Sequence, residues 1–294
     1  MYDSGITLIC GLQQFSPAMD IFFKALTFLG DEAFFLASLP FVYWCLCKRT
    51  GSRLSVLFLV SAYINMAAKH LADMPRPFEY SPAVQALVAA SGGGFPSGHT
   101  QGAVVFWGYL AYIYKNKLFR ALCGCLLLAI PLSRVYLGVH FPIDIAGGYL
   151  IGALLLFAFI RLEPGFSAWR RRAGFKGMLM AAGFLPALLA LLVYGDKTAV
   201  AAMGALAGMG TGFLLENRYV AFAPPAKRRF KIAAFALGMG VFALVYVGLK
   251  IMFAELAPGA LFRFIRYGLV GLWGGVGAPW LFTKVKWSAH ESDH

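Results

Sequence analysis

Apolar residues run through this chain in blocks of roughly 17 to 22, each closed by a short polar or basic connection. A helix crosses the hydrocarbon core of a bilayer with about 20 residues, or somewhat fewer when its flanks snorkel. Nine blocks meet that length: 31–47, 53–72, 98–115, 118–138, 142–161, 177–194, 198–215, 232–253 and 262–283. The pattern predicts an all-α, polytopic transmembrane bundle of about nine spans. Ahead of them, residues 5–29 are only moderately apolar. They carry Gln13, Gln14, Asp20 and Lys24, and Ser16-Pro17 divides them. That predicts two short helices lying at the membrane interface within residues 1–30. Residues 73–97 form the longest polar connection of the first half, and 162–176 form a basic linker. The chain is thereby divided into an N-terminal segment 1–30, a helical core 31–161 and additional C-terminal helices 162–294.

Composition excludes a soluble domain. Sixty per cent of residues are hydrophobic and 13% charged, with a mean hydropathy of +0.71. The net charge of +13 raises the question of nucleic acid, but the basic residues cluster between apolar blocks, so topology explains them and no nucleic-acid partner is expected. With nine spans the two ends lie on opposite sides. Eighteen of the 26 basic residues then share one side, including Arg170 to Arg172 and Lys227 to Arg229. That side is expected to be cytoplasmic, with the N-terminus outside and the C-terminus inside. The first basic residue is Lys24, so the charged start of a cleavable signal is missing. Cys45 with Cys47, and Cys123 with Cys125, are pairs two apart in apolar blocks. Such neighbours point to different sides of a helix and make poor chelates. Trp287 reads as an interface anchor and the tail with His290 and His294 as a polar end.

Three polar clusters fall on the outward face. They are KHLADMPRP (69–77), GGGFPSGHT (92–100) and SRVYLGVHFPID (133–144). Lys69, Arg76 and Arg134 oppose the positive-inside trend, so topology does not account for them. Three cations at one depth repel unless an anion sits among them, and Arg presents a planar fork suited to phosphate oxygens. The glycine run and Ser97-Gly98 at a helix start add backbone N–H groups and the positive end of a helix dipole. His140 stands four residues before Asp144 at a helix entrance begun by Pro142. A carboxylate on one imidazole nitrogen leaves the other free to attack. His99 can protonate a leaving oxygen. Together these suffice for phosphoryl transfer by positioning and electrostatics, with no metal and no cofactor. Asp73 is expected to pair with Lys69.

The clusters resemble the three-part signature of the type 2 phosphatidic acid phosphatase (PAP2) superfamily: K-x6-R-P, P-S-G-H and S-R-x5-H-x3-D. All three parts occur in order, from Lys69 to Arg76-Pro77, at Pro96 to His99, and from Ser133-Arg134 to His140 and Asp144. The resemblance implies a PAP2-like catalytic core over 31–161 and metal-independent hydrolysis through a phosphohistidine. It implies His140 as nucleophile, Asp144 as its partner and His99 as proton donor. Lys69, Arg76, Ser97, Gly98, Ser133 and Arg134 would bind the substrate phosphate. Residues 162–294 lie beyond the signature.

The expected substrate is a phospholipid or isoprenoid lipid phosphate reached from the bilayer. An outward-facing site suits undecaprenyl diphosphate in a bacterial cytoplasmic membrane. Phosphatidylglycerol phosphate, phosphatidic acid and lipid A remain candidates. Transfer to an alcohol uses the same residues. A transporter or flippase that binds a lipid phosphate uncleaved is the alternative of another class, though binding alone needs neither His140 with Asp144 nor His99. Oligomeric state leaves no trace in the sequence.

Overall fold

The computed structural model describes residues 2–193, 195–253 and 259–287. The regular structure of these residues is helical. Chain order gives α1 (Tyr2–Gln13), α2 (Asp20–Phe28), α3 (Glu32–Phe41), α4 (Lys48–Ala72), α5 (Pro77–Tyr80), α6 (Gly98–Ile113), α7 (Lys117–Tyr136), α8 (Pro142–Leu192), α9 (Lys197–Leu215), α10 (Arg228–Met252), α11 (Ala260–Leu272) and α12 (Ala278–Lys284). Three π-helical turns, Val42–Leu46, Glu216–Val220 and Trp273–Gly277, interrupt them. The polar tail with His290 and His294 lies outside the described residues.

Among the described residues five helices are long and apolar enough to cross a membrane, and a sixth span results if α2 and α3 with its π turn, bent by 44°, count as one. The sequence predicts nine, and the difference has local causes. The blocks 142–161 and 177–194 fall within the 51 residues of α8, which is two helices meeting at a kink, where Gly174 has φ 64° and ψ −176°. That backbone region is essentially open to glycine alone. Block 98–115 yields only 16 helical residues in α6. Block 262–283 is split among α11, a π turn and α12. The first segment does separate at Ser16-Pro17 into two short helices, α1 and α2.

The chain divides into two compact units. Residues 1–35 and 64–161 make the first, 36–63 and 162–294 the second. In the first, α7 is the central element, with α1, α2 and α6 packed on it. Asn116 starts α7 by accepting the Phe119 N–H at 3.0 Å. Phe23 of α2 stacks on Tyr136 with ring centroids 4.1 Å apart. Gln13 is not merely a water-facing group. Its Nε2 donates to the Gln85 and Tyr136 carbonyls at 2.7 and 3.1 Å, tying the 73–97 connection to the end of α7.

Close approach of α6 and α8 positions the site. A Cβ at Gly148 would stand 2.7 Å from the Ser97 carbonyl oxygen and 2.8 Å from Thr100 Cβ, and one at Gly152 would stand 2.9 Å from Val104 Cβ. Small residues spaced by four allow such contact between membrane helices. It brings the start of α8 to the start of α6, where the Ser97 N–H donates to the Asp144 carbonyl at 3.0 Å.

The second unit uses the same device between α9 and α11. Gly204 and Gly208 lie against the backbone of Phe264 and Gly268, and a Cβ at Gly212 would be 2.9 Å from Gly275 Cα. Its core holds Tyr43, Trp44, Phe213, Phe222 and Phe282. Within this core the fully buried Glu216 accepts from Lys48 Nζ at 3.3 Å, Phe222 N–H at 2.8 Å and Tyr43 OH at 3.3 Å. A buried carboxylate requires such company.

Candidate active site

All nine site residues expected from sequence lie in the first unit. Lys69 sits in the last turn of α4. Arg76 is the N-cap of α5, whose backbone N–H donates to Glu79 Oε2 at 2.8 Å. Ser97 caps α6, so Gly98 and His99 open that helix. Ser133 and Arg134 occupy the last turn of α7, and Asp144 the first turn of α8. His140 is in the connection between α7 and α8. It is 2% exposed, beside Arg134 at 4%, Arg76 at 5% and Asp144 at 1%.

Arg76 is held as a fork. Its Nε donates to the Gly92 carbonyl at 2.9 Å, Nη2 to Ser91 at 2.8 Å and Nη1 to Val139 at 2.8 Å. Lys69 Nζ donates to the Gly93 carbonyl and, at 3.4 Å, to that of Gly94. The glycine run therefore turns carbonyls toward the cations rather than the N–H groups expected from sequence. The Gly94 N–H is itself taken by the Met74 carbonyl at 2.7 Å. Buried cations need acceptors, and a glycine loop brings several carbonyls within reach. A Cβ at Gly94 would lie 2.9 Å from the Pro75 carbonyl oxygen and 3.2 Å from Asp144 Oδ2. Among the described residues no ion pair joins Lys69 to Asp73. Lys69 reaches across to the loop instead.

His140 Nδ1 lies 3.2 Å from Asp144 Oδ2, which also accepts the Phe141 N–H at 2.8 Å. The carboxylate fixes the Nδ1–H tautomer. Nε2 then keeps its lone pair, 3.4 Å from Arg76 Nη1. Burial first, then the charges of Arg76, Arg134 and Lys69, push His140 well below the usual histidine range. A neutral imidazole with its Nε2 lone pair among cations has the form that attack on a bound anion requires.

Arg134 donates from Nη1 to Thr27 Oγ1 at 2.6 Å, while its buried Nε has no hydrogen-bond partner. That guanidinium N–H, beside Lys69 and Arg76, is a donor of the kind that suits a phosphoryl oxygen. Ser133 Oγ donates to the Ile130 carbonyl at 2.6 Å, so it must turn before it can donate to a phosphate. Ser97 Oγ accepts from Thr100 Oγ1 at 3.1 Å and keeps its own proton.

Sequence reasoning missed four polar residues here. Thr27 meets Arg134. Asp31 Oδ1 lies 2.7 Å from His99 Nε2. Asn65 Nδ2 donates to Gln101 Oε1 at 2.8 Å, and a Cβ at Gly98 would stand 3.1 Å from Asn65 Oδ1. Asn65 stands four residues before Lys69, one turn along α4, a usable signal. Thr27 and Asp31 belong to no motif.

The unit thus defines a helical membrane protein with a cationic cluster around two histidines. Comparisons with known proteins agree with that class. A model described as the PAP2 superfamily matches residues 51–168, and one described as PAP2 superfamily phosphatase, transmembrane extension, matches residues 200–290. The chain belongs to the PAP2 superfamily. It is similar to lipid phosphate phosphatase delta of Arabidopsis thaliana, 31% identical over 170 residues, covering 52% of this chain and 40% of that protein. It is similar to the putative undecaprenyl-diphosphatase YbjG of Escherichia coli, 35% identical over 103 residues, covering 35% of this chain and 51% of that one. It is also similar to the bacitracin transport permease protein BcrC of Bacillus licheniformis, 34% identical over 141 residues, covering 45% and 68%. The chain spans only about two fifths of the length of the first of these, 40%.

Proposed function

We propose that this protein is a membrane phosphatase that removes phosphate from a lipid phosphate or diphosphate through a phosphohistidine at His140, without a metal. The observation that carries the proposal is the pairing of His140 Nδ1 with Asp144 at 3.2 Å while Nε2 faces Arg76. In the first step Nε2 attacks the terminal phosphorus, its bond to the leaving oxygen breaks (the lipid oxygen of a monophosphate, the bridging oxygen of a diphosphate), and His99 gives that oxygen a proton. In the second, water attacks phosphorus, His99 takes the proton, and inorganic phosphate leaves His140. Arg76, Arg134 and Lys69 stabilise the charge on the phosphoryl oxygens, with the Gly98 N–H and the Ser97 and Ser133 hydroxyls as further phosphate donors.

The substrate we favour is undecaprenyl diphosphate, met at the outer face of a bacterial cytoplasmic membrane, with the chain's C-terminus inside. The eighteen-to-eight distribution of basic residues that a nine-span path gives supports that orientation. The relative named as a putative undecaprenyl-diphosphatase supports the substrate. The test is phosphate release by purified protein in detergent with EDTA. Undecaprenyl diphosphate, phosphatidylglycerol phosphate, phosphatidic acid and lipid A would each be run beside His140→Ala. Release from undecaprenyl diphosphate that vanishes in the variant is the expected result. Release that requires a divalent metal, or that survives in His140→Ala, would overturn the mechanism.

A further inference from the structure

The turn between α2 and α3 lies outside residues 51–168, the part of this chain matched by the PAP2 model, yet it reaches the site twice. Thr27 takes Arg134 at 2.6 Å and Asp31 takes His99 at 2.7 Å. Gly30 seats that turn on the histidine. A Cβ there would be 3.1 Å from His99 Cδ2 and 2.8 Å from Ile130 Cγ2. The Asp31 side chain is 40% exposed and that of His99 21%, so the pair borders solvent.

We propose that Asp31 is a positioning residue for His99, making a second histidine–carboxylate pair beside His140 and Asp144. The proposal rests on the hydrolase reading given above. The charged groups that act on His99 are Arg134, Arg76 and Asp31. Two of the three are cations and oppose a charged ring. To protonate a leaving group, His99 must carry a second ring proton in their presence. Asp31 accepts the Nε2 proton, fixes the ring's rotation and compensates the charge while the other ring nitrogen exchanges its proton. When the bond from phosphorus to the lipid oxygen breaks, its electron pair stays on that oxygen, which takes the proton from His99. The ring becomes neutral and keeps its bond to Asp31. Water restores the proton when it attacks the phosphohistidine.

The chemistry gives this role a signature. A phosphate monoester such as phosphatidic acid expels an alkoxide, which needs a proton. Undecaprenyl diphosphate expels a lipid monophosphate, a far weaker base that leaves with little help. Asp31→Asn is expected to lower kcat on phosphatidic acid by about 10- to 100-fold with KM little changed, since positioned acid catalysis is worth about 10²-fold or more. On undecaprenyl diphosphate the loss in kcat/KM, which reports only the steps through departure of the leaving group, is expected to stay within about threefold, and on a His99→Ala background Asp31→Asn should add nothing. Equal losses on both substrates, or an additive loss with His99→Ala, would overturn the proposal and leave Asp31 a structural residue. A second readout does not depend on turnover. In a histidine-labelled sample the ring N–H proton that disappears in His99→Ala should resonate far downfield and move upfield in Asp31→Asn. If it stays in place, the pairing is wrong. If it moves while the wild type releases phosphate from neither lipid, the pairing stands and the hydrolase reading fails.

Discussion

Arg76→Lys keeps the charge and removes the fork, so it separates two explanations of why arginine stands there. In the wild type three different nitrogens reach the carbonyls of Gly92, Ser91 and Val139, at 2.9, 2.8 and 2.8 Å. A lysine has one nitrogen at the end of a flexible stem and cannot span all three. It can satisfy one carbonyl and lose two. Hydrogen bonds from a charged donor are worth about 1.5–3 kcal/mol each, which gives about 3–6 kcal/mol for two. The Gly92 and Ser91 carbonyls are only part-buried, so water recovers some of this, leaving about 2–4 kcal/mol. If the loss appears as misplacement of the 91–94 loop and of His140 beside it, kcat/KM falls by about 30- to 1,000-fold. The assay is phosphate release in detergent, with thermal unfolding of the same sample to confirm that the protein is folded. Arg76→Ala, which loses the charge as well, should be worse. A lysine variant within about threefold of wild type would show that charge alone matters and that the carbonyl fork positions nothing.

Other expectations follow from single contacts. Asp144→Asn keeps the shape but can offer its amide N–H to His140 Nδ1, driving the proton onto the attacking nitrogen. A fall in kcat of about 10²- to 10⁴-fold is expected, as for the same exchange in a serine-protease triad, and kinetics within threefold of wild type would refute it. Gly208→Leu should force α9 from α11 and lower the melting temperature, at a cost of about 1–3 kcal/mol or more. Gly240→Leu, where a Cβ meets nothing within 4 Å, should leave it unchanged and serves as control. The depressed folded-state affinity of His140 for protons has a sign for stability. An unfolded histidine binds its proton near about pH 6.5 and the folded one does not, so its contribution is intact above that pH and lost as pH falls below it. Melting curves between pH 7.5 and 5 should therefore drop more steeply for wild type than for His140→Gln.

What the sequence made legible is the part that chemistry writes in fixed spacing. Arg134, His140 and Asp144 fall within twelve residues and meet across one tight connection. Lys69 and Arg76 announced themselves by opposing the charge trend. Asp31 did not, because an Asp-Glu pair after a glycine in an apolar segment has no periodicity, and the partner of Asp31 is 68 residues away. Gln13 looked like an interfacial group because polarity in a sequence does not say whether water or a carbonyl answers it. The count of nine spans is not confirmed, and the reason is similar. Hydropathy measures apolar length but is blind to the kink at Gly174 through which two blocks follow one another in α8, and to the π turn at Trp273–Gly277, which cuts another block apart. The fate of the glycine run was hidden as well, since glycine exposes both backbone groups equally and only neighbouring charge chooses between them.

That choice bears on how the empty protein tolerates ordinary salt. Lys69 and Arg76 rest against carbonyl oxygens, so much of their field is answered before any solute arrives. An arriving ion must compete with dipoles already in place and can count mainly on what is unanswered, notably the Nε donor of Arg134. Chloride or acetate, with a single charge, has little to gain from that exchange, whereas a dianionic phosphoryl group brings several acceptors and twice the charge.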